Sequence, residues 1–479
     1  VKMFFFSLCA LPILAAVFCA KSERIERSRR LVSLVIWLQV VVSAVLCAPV
    51  LLDGSVLFRF TPDFAVDRTS ACFLLLTNFV AACSLSYAPT FFRNEIVIAQ
   101  KDVPFHHENL FYTTALLFVL AMNFVFLADN LGLLWVSIEA TTIFSAGLVY
   151  FSRDKHALEA TWKYLMVCSV GIAFALLGTI LIFAASQHGA VPGGSLNIRE
   201  LMACADRLEP KLLQLGYIFC LLGFGTKAGI FPLHTWLPDA HSEAPAPASA
   251  MLSGALLNCA LFAICRITEL VRLTQHHAIC ETVPVFWGAL TALAAGLFLV
   301  HQNGIKRLWA YSSIENVGIM LVAIGLGSPV LFFLQALNHS VAKVALFLLS
   351  GSIIQRFGTK DLSQIRGLLK VSPACGILLA VCAAAVTGMP PFGAFIAEWM
   401  ILAKSADAAQ GVAVCILLIA LAISFIAVSI HVSRILWGVP KPQLNTTDSL
   451  AQYLIPSLLG ICTILLGLTA IPMVLVKAL

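Results

Sequence analysis

Thr226-Lys227-Ala-Gly-Ile-Phe-Pro232-Leu-His234-Thr-Trp-Leu-Pro238 opens inside an apolar run that covers residues 214–236. Pro232 has no amide hydrogen to give and its ring clashes with the carbonyl one turn back, so a helix written through this run must break there. The break falls beside a lysine. Thr387-Gly-Met-Pro390-Pro391-Phe-Gly393 repeats the arrangement inside a second apolar run, 373–403, with Glu398 just beyond it. Non-helical backbone at membrane depth is tolerated only where protein or a water-lined cavity satisfies it, and interrupted helices in corresponding halves of a chain point to a transport site.

Outward from these two breaks the same apolar texture continues to both ends. A hydrocarbon core ~30 Å thick takes about 20 residues of helix, and on that measure the spans fall at 2–20, 30–52, 69–88, 110–128, 131–151, 160–185, 214–236, 246–268, 283–301, 305–326, 329–354, 373–403, 411–437 and 451–475. The expected fold is an all-α, polytopic membrane bundle of about fourteen transmembrane helices. An internal echo divides it. Leu134-Trp-Val-Ser-Ile-Glu139 returns as Leu308-Trp-Ala-Tyr-Ser-Ser-Ile-Glu315, Lys163 is answered by Lys343, and each half then reaches its broken helix. The expectation is two inverted five-helix repeats, each with one proline-broken helix. The divisions are 1–109 (an N-terminal three-helix segment), 110–270 and 283–440 (the repeats), and 441–479 (a C-terminal helix).

Composition excludes most other classes. The 479 residues are 60% hydrophobic and 11% charged, with a mean hydropathy of +0.95, against roughly 25% charged in soluble proteins. The net charge of +6 reads as membrane orientation, and no nucleic-acid partner is expected. None of the fifteen cysteines stands in a C-x-x-C pair, so no iron–sulfur or nickel–iron centre, and no other cofactor, is expected in this chain. Gly223-Phe-Gly225-Thr-Lys-Ala-Gly229 has the wrong spacing for a phosphate loop. The apolar stretch 1–20 is followed rather than preceded by its positive charges, which favours a retained first helix over a cleaved signal.

Of the thirty lysines and arginines, seventeen fall on the side of the first loop, ten on the other, and Lys163, Lys227 and Lys343 within spans. The positive-inside rule then places the first loop in the cytoplasm and both termini outside, in a bacterial or archaeal inner membrane.

A charge at mid-membrane costs about 2.5 to 3.5 kcal/mol even on the lenient insertion scale, so each one marks a candidate site. Glu139, Lys163, Lys227, Lys343 and Glu398 are such residues. Burial disfavours a charged lysine and a carboxylate at contact distance restores it, so making and breaking one ion pair can load and unload a proton; the alternative is a static pair that fixes helix packing. His339 and Lys343, four residues apart, share a helix face with Asn338 and Ser340 nearby, and histidine suits a relay. Glu159 and Lys163 are equally spaced but nearer the surface, where a structural pair is as good a reading. For Glu315, His301 and His431, near-surface or packing roles are at least as good a reading as transport. His106, His107, His276 and His277 lie in loops, and no metal site is expected.

The Trp-Val-Ser-Ile-Glu139-Ala motif, the stretch from Thr226 to Glu243, the turn Asn303-Gly-Ile-Lys-Arg-Leu-Trp-Ala-Tyr-Ser-Ser313 and the turn from Gly388 to Glu398 together resemble the proton-conducting antiporter-like family. It comprises the L, M and N chains of respiratory NADH:quinone oxidoreductase, the large subunits of Mrp-type antiporters and their counterparts in group 4 hydrogenases. Ser137-Ile-Glu-Ala-Thr-Thr142, Ala160-Thr-Trp-Lys-Tyr-Leu165, His241-Ser-Glu-Ala-Pro245 and Leu256-Leu-Asn-Cys-Ala260 give the look of the hydrogenase-4 component F branch. The resemblance, over about 65–440, implies that Glu139 and Lys227 form an ion pair near an input channel. It implies that His339 and Lys343 belong to a central hydrophilic axis, that Glu398 ends it, and that His234 joins the set. Where relatives place a lysine or histidine on the eighth helix, this chain has Ser253 and Asn258, neither titratable. With its fourteenth span so near residue 479, the lateral helix of L-type chains is not expected.

The function implied is translocation of protons or sodium ions within a group 4 hydrogenase-like or NADH:quinone oxidoreductase-like complex. The redox chemistry would lie in other subunits, reached through neighbouring membrane subunits and a peripheral hydrogenase or dehydrogenase arm. A subunit of an Mrp-type antiporter and a non-pumping scaffold for a hydrogenase are the alternatives.

Overall fold

The computed structural model describes residues 2–52, 57–97, 105–188, 191, 193–275, 277–440 and 451–478. Twelve helices among the described residues are long and apolar enough to cross a membrane. They begin with α1 (Lys2–Lys21) and α2 (Ile25–Leu51), whose outer faces carry bare apolar side chains such as Phe6, Leu34 and Val41. One small antiparallel hairpin follows, β1 (Leu57–Thr61) and β2 (Phe64–Asp67), turned at Pro62-Asp63. Among the described residues it is the one pair of strands in an otherwise helical fold, and its ring Phe60 stacks on Phe5.

The next helices are α3 (Arg68–Val97), α4 (Phe105–Leu127), α5 (Leu131–Val149) and α6 (Lys155–Gln187). Their starts are written locally: Asn130 accepts from the amides of Gly132 and Leu133, and Asp154 from that of Ala157, so each satisfies amides that the first helical turn leaves bare. After the short α7 (Ile198–Ala203), α8 (Pro210–Ala228) starts on the carboxylate of Glu209 with Pro210 in its first turn, and stops at Gly229, whose φ of 82° is the left-handed cap. The chain then resumes as α9 (Trp236–Glu243). The first of the two spans expected to break at proline, 214–236, is therefore α8 and the break after it, from which the chain continues as α9.

The eighth expected span is α10 (Ala246–Met251), one π-helical turn (Leu252–Leu256) and α11 (Leu257–Arg272), buried along its crossing segment. Then come α12 (Ala278–Leu299), α13 (Ile305–Gly325) and α14 (Pro329–Phe357), with α13 also wholly enclosed. A turn, α15 (Leu368–Val371), leads to the second helix pair, α16 (Pro373–Val386) and α17 (Gly393–Asp407), and the described chain closes with α18 (Gly411–Leu436) and α19 (Ala451–Ala478). The buried centre is thus α10–α11, α13 and α14.

Two contacts are unusually close. Gly178 of α6 lies so near α8 that a methyl group there would stand 2.6 Å from the carbonyl oxygen of Gly216, and Gly171 faces Thr226 in the same way. In the other half, methyl groups at Gly288 of α12 or Gly318 of α13 would meet each other's carbonyl oxygens. Small residues let membrane helices approach to backbone contact, which dispersion alone can then hold.

At the end of the bundle that carries the hairpin, Asp67 receives Arg266 at 2.6 Å and Arg199 at 3.1 Å, while Asp129 receives Arg59 at 3.2 Å. Burial works to raise the Asp67 carboxyl, but the guanidinium charges of Arg266 and Arg199 and the amide of Ser70 outweigh it and hold the group well below the usual carboxylate range. The cluster ties the hairpin and the α7 segment to the end of α11.

Candidate functional site

Lys227, the last helical lysine before the first break, is fully buried. Its Nζ donates to Thr142 Oγ1 at 2.8 Å and to the hydroxyl of Tyr164 at 2.6 Å, and it lies 4.7 Å from the centre of the Tyr164 ring and 6.0 Å from that of Trp236. The Trp236 indole is held by the carbonyl of Thr226 at 2.9 Å, and the Tyr164 hydroxyl is hydrogen-bonded to Ser145. Glu139 is half-buried on α5, one turn before Thr142, with Oε2 3.4 Å from the threonine hydroxyl. The direct Glu139–Lys227 ion pair implied by the resemblance is therefore not closed. Thr142 stands between the two, as donor to the carboxylate and acceptor from the ammonium.

Lys163 takes a different place from that expected of a residue within a span. Its side chain is 50% exposed, paired with Glu159 at 2.7 Å and Asp239 at 3.3 Å. Asp239 also holds Arg307 at 2.6 Å, so these charges join α6, α9 and α13 at the edge of the buried region. His234 lies in the break itself, buried among the rings of Phe231, Phe298 and Tyr311, with Nδ1 lacking a partner. It sits at the seam between the first break and helices α12 and α13.

Between the halves the π-turn carries the polar groups. Ser253 shares a hydrogen bond with Ser313 at 2.8 Å, and Asn258 gives its amide to Gly254 at 3.1 Å and to Ser340 at 3.0 Å. A π-turn inserts one residue into the helix and is found mostly at functional sites; here it lets α10–α11 present Ser253 to α13 and Asn258 to α14. His339 faces the Ser253 backbone and lies within electrostatic reach of Lys343 and His241. His241, after the first break, stacks on Phe347 at 4.7 Å and is fully enclosed.

The second half repeats the logic of the first with different parts. Lys343 Nζ donates to the carbonyl of Trp309 at 3.0 Å and lies 5.6 Å from that indole. Glu315 is buried and interacts electrostatically with both Lys343 and Glu398. The near-surface reading of it is corrected: six residues beyond Trp309 on a helix buried along its crossing segment, its carboxylate reaches the interior. Glu398 stands beside Gln335, which donates to Asn316 at 2.8 Å, and it packs directly on Gly388 of the second break. Pro390 and Pro391 leave the gap between α16 and α17, as Pro232 does between α8 and α9.

Several buried atoms along this route have no protein partner: Oδ1 of Asn258, both ring nitrogens of His339, Nδ1 of His241, Oε2 of Glu315, Oε1 of Gln335 and Oγ of Ser424. Such atoms are rare in protein interiors and ask for water or a moving proton. Sequence reasoning missed Thr142, Tyr164 and His241. Glu315, which it left open between surface, packing and transport, carried a usable signal, ten residues into a span that runs from 305 to 326. His431 does take a packing role, its Nε2 against the carbonyl of Leu299 at 3.1 Å, and His301 is exposed. No group of three or more His, Cys, Asp and Glu residues that could hold a metal occurs among the described residues, and His276 lies outside them.

Against known proteins, the chain is 36% identical over 409 residues to the hydrogenase-4 component F homolog of Methylacidiphilum infernorum (isolate V4), a match covering 83% of this chain and 85% of that one. The fold superposes on a chain of the membrane-bound sulfane sulfur reductase, an archaeal respiratory membrane complex, with a TM-score of 0.86 at 22% identity, covering 99% of this chain and 96% of that one. It superposes on a chain of the Mrp complex from Dietzia sp. DQ12-45-1b with a TM-score of 0.84 at 21% identity, covering 98% and 95%. Residues 128–424 match the family described as NADH:quinone oxidoreductase/Mrp antiporter, TM. That span includes every buried lysine, carboxylate and histidine of the route above, and the chain belongs to this family of multi-pass membrane proteins.

Proposed function

We propose that the chain conducts protons or sodium ions across the inner membrane as one subunit of a larger assembly of the group 4 hydrogenase or NADH:quinone oxidoreductase type. The redox chemistry takes place in a peripheral hydrogenase or dehydrogenase arm, reached through other membrane subunits. The observation that carries this reading is the buried polar route from Glu139, Thr142 and Lys227 through Ser253, Asn258 and His339 to Lys343, Glu315 and Glu398.

The chemistry follows from charge in a low-dielectric interior. A proton on Lys227 is held by two hydroxyls and a ring face, and is favoured further when Glu139 swings onto it past Thr142. When Glu139 turns away, the uncompensated ammonium is costly and its proton leaves along Ser313, Ser253 and His339 toward Lys343. Glu315 then plays toward Lys343 the part that Glu139 plays toward Lys227, and Glu398 releases the ion beside the second break. The repeats 110–270 and 283–440 are thus two half-relays in series, with 1–109 and 441–479 flanking them. Lys163 sits outside the route and acts on it through Asp239. The loops of the basic-rich side face the cytoplasm and both termini face outward.

A non-pumping scaffold is the second reading, favoured by one observation: Ser253 and Asn258 orient a proton path without being able to hold a proton. The test is the gradient formed per electron pair by vesicles containing the whole complex, wild type against Glu315→Gln. A gradient in the wild type that Glu315→Gln abolishes supports conduction, whereas turnover with no gradient in the wild type favours the scaffold.

A further inference from the structure

We propose that the groove between α2 and α3, on the side of the first loop, seats the headgroup of an anionic phospholipid whose acyl chains lie along the outer face of α2. The groove holds about 620 Å³, and Glu26, Arg29, Arg30, Trp37 and Arg93 are among its lining residues. Its charges are only partly satisfied from within. Arg29 is turned inward, holding Glu108 with two nitrogens at 2.8 Å each and Glu26 with a third at 2.7 Å. Arg93 gives a single nitrogen, Nη2, to both oxygens of Glu26 at 3.0 Å, and with its side chain 57% exposed it keeps its other donors for a partner. Arg30 is exposed on the same rim and has no carboxylate partner among the described residues. Three guanidinium groups thus face two carboxylates, and the planar forks of Arg30 and Arg93 suit a phosphate diester better than a point cation would.

What makes the occupant a lipid rather than a free phosphate is the surface that continues from the arginines. Trp37 lies seven residues beyond Arg30, about 10 Å along the helix axis, with its indole nitrogen on Ser86 at 3.0 Å. That is the amphipathic residue expected at the level where headgroup meets hydrocarbon. Leu34, Leu38, Val41 and Val45 share its face at helical spacing and are all exposed. From Leu34 to Val45 the strip is about 17 Å long, close to the ~15 Å of a single leaflet. Phosphate alone would use the arginines and leave that strip bare. The groove also lies on the basic-rich side of the chain, where juxtamembrane arginines meet anionic lipid.

The test uses the whole complex, purified from membranes and placed in nanodiscs of phosphatidylglycerol or phosphatidylcholine, with retained lipid read by native mass spectrometry. Loss of Arg30 and Arg93 together, as Arg30→Gln with Arg93→Gln, should lower phosphatidylglycerol retention about 30-fold, from roughly 1 kcal/mol for each arginine. Arg30→Gln alone breaks no ion pair and should cost about fivefold on the same basis. The lysine pair, Arg30→Lys with Arg93→Lys, should keep most of the binding, and phosphatidylcholine should not be retained. Arg24→Gln with Arg27→Gln removes the same charge from the same end of the bundle, at positions that do not line the groove, and should leave retention unchanged. Equal losses in the groove pair and this control would overturn the proposal, as would equal retention of the two lipids. Displacement of the lipid by millimolar inorganic phosphate would make the site a free-anion site, and crosslinking of position 37 to another subunit's helix would make it a protein interface. Either result overturns it too.

Discussion

Replacing Gly388 by alanine addresses the output end of the route without replacing any titratable group. Gly388 has a φ of 64°, and a methyl group there would overlap Glu398 Oε2 and stand 2.8 Å from its carboxyl carbon. Since carbon atoms rest about 3.5–4.0 Å apart, the carboxylate must retreat by roughly 1 Å. A backbone in the left-handed region adds about 1–2 kcal/mol for a residue with a Cβ. Gly358, with a φ of 66° and nothing within 4 Å of the added methyl, carries the same backbone cost and no displacement. The difference between Gly388→Ala and Gly358→Ala therefore isolates the position of Glu398. A misplacement near 1 Å can slow a reacting step by about 100-fold, so Gly388→Ala should assemble in normal yield yet lose most of its gradient formation per electron pair in vesicles. Gly358→Ala should stay near wild type. A Gly388→Ala complex that builds a full gradient would refute the role given to Glu398, and equal failure of both variants would reduce the effect to backbone strain.

Lys227→Ala should remove ion coupling while leaving assembly largely intact, and Glu139→Gln should act alike; both assembling and building normal gradients in the same vesicles would contradict the switch. Asn258→Lys should leave coupling unchanged or raise it, because it supplies a proton-holding group at the π-turn; a drop in gradient per electron pair would contradict this. Asp67→Asn should cost about 1–3 kcal/mol, because Arg266 and Arg199 lose the carboxylate they share and Arg266 keeps only Glu269 at 3.2 Å as an ionic partner, measured as a loss of thermal stability in detergent. Because the folded Asp67 carboxyl is held below its ordinary value, its contribution is present above about pH 4 and is lost as the pH falls through the folded value; an Asp67→Asn profile with the wild-type acid sensitivity would speak against it. Cysteine labelling at Ser363 in intact cells should fail from outside, since the loop 358–367 is expected in the cytoplasm, and external labelling would invert the orientation.

The long spans were legible because their signal is one-dimensional: a run of about 20 apolar residues is its own evidence, and the breaks were announced by Pro232 after Gly229 in one run and by Pro390-Pro391 after Gly388 in the other. The site was legible to the extent that a charge in such a run is anomalous on its own, which identified Lys227, Lys343 and Glu398. What could not be read was which side chains meet. Thr142 and Tyr164 are ordinary residues for apolar helices, and they hold Lys227 only because α5, α6 and α8 converge. Lys163 has the same anomalous look as Lys227 but reaches Glu159 and Asp239, since helical position along α6, not apolar context, decides whether a long side chain reaches the edge. Glu315 was left open between surface, packing and transport, although its central place in α13 was visible. The hairpin 57–67 escaped because strands of five and four residues are short against the bundle, and the π-turn because a one-residue insertion leaves no trace in hydropathy.

The close backbone contacts described in the fold have a mechanical meaning. With Gly178 pressed on Gly216, and Gly288 on Gly318, the helix pairs α6–α8 and α12–α13 approach to backbone contact at these crossings, where little side-chain packing separates them. Neither member can slide or roll without driving a carbonyl into its neighbour. Each pair therefore behaves as a stiff beam, and the work of moving a proton's charge is transmitted to the joints: the hinge from Gly229 to Thr235, the gap from Thr387 to Phe392, and the side-chain rotations of Glu139 and Glu315. On the conduction proposed above, motion during turnover would be confined to pivots between stiff members, so that a local change of charge could act at a distance without dissipating in helix bending.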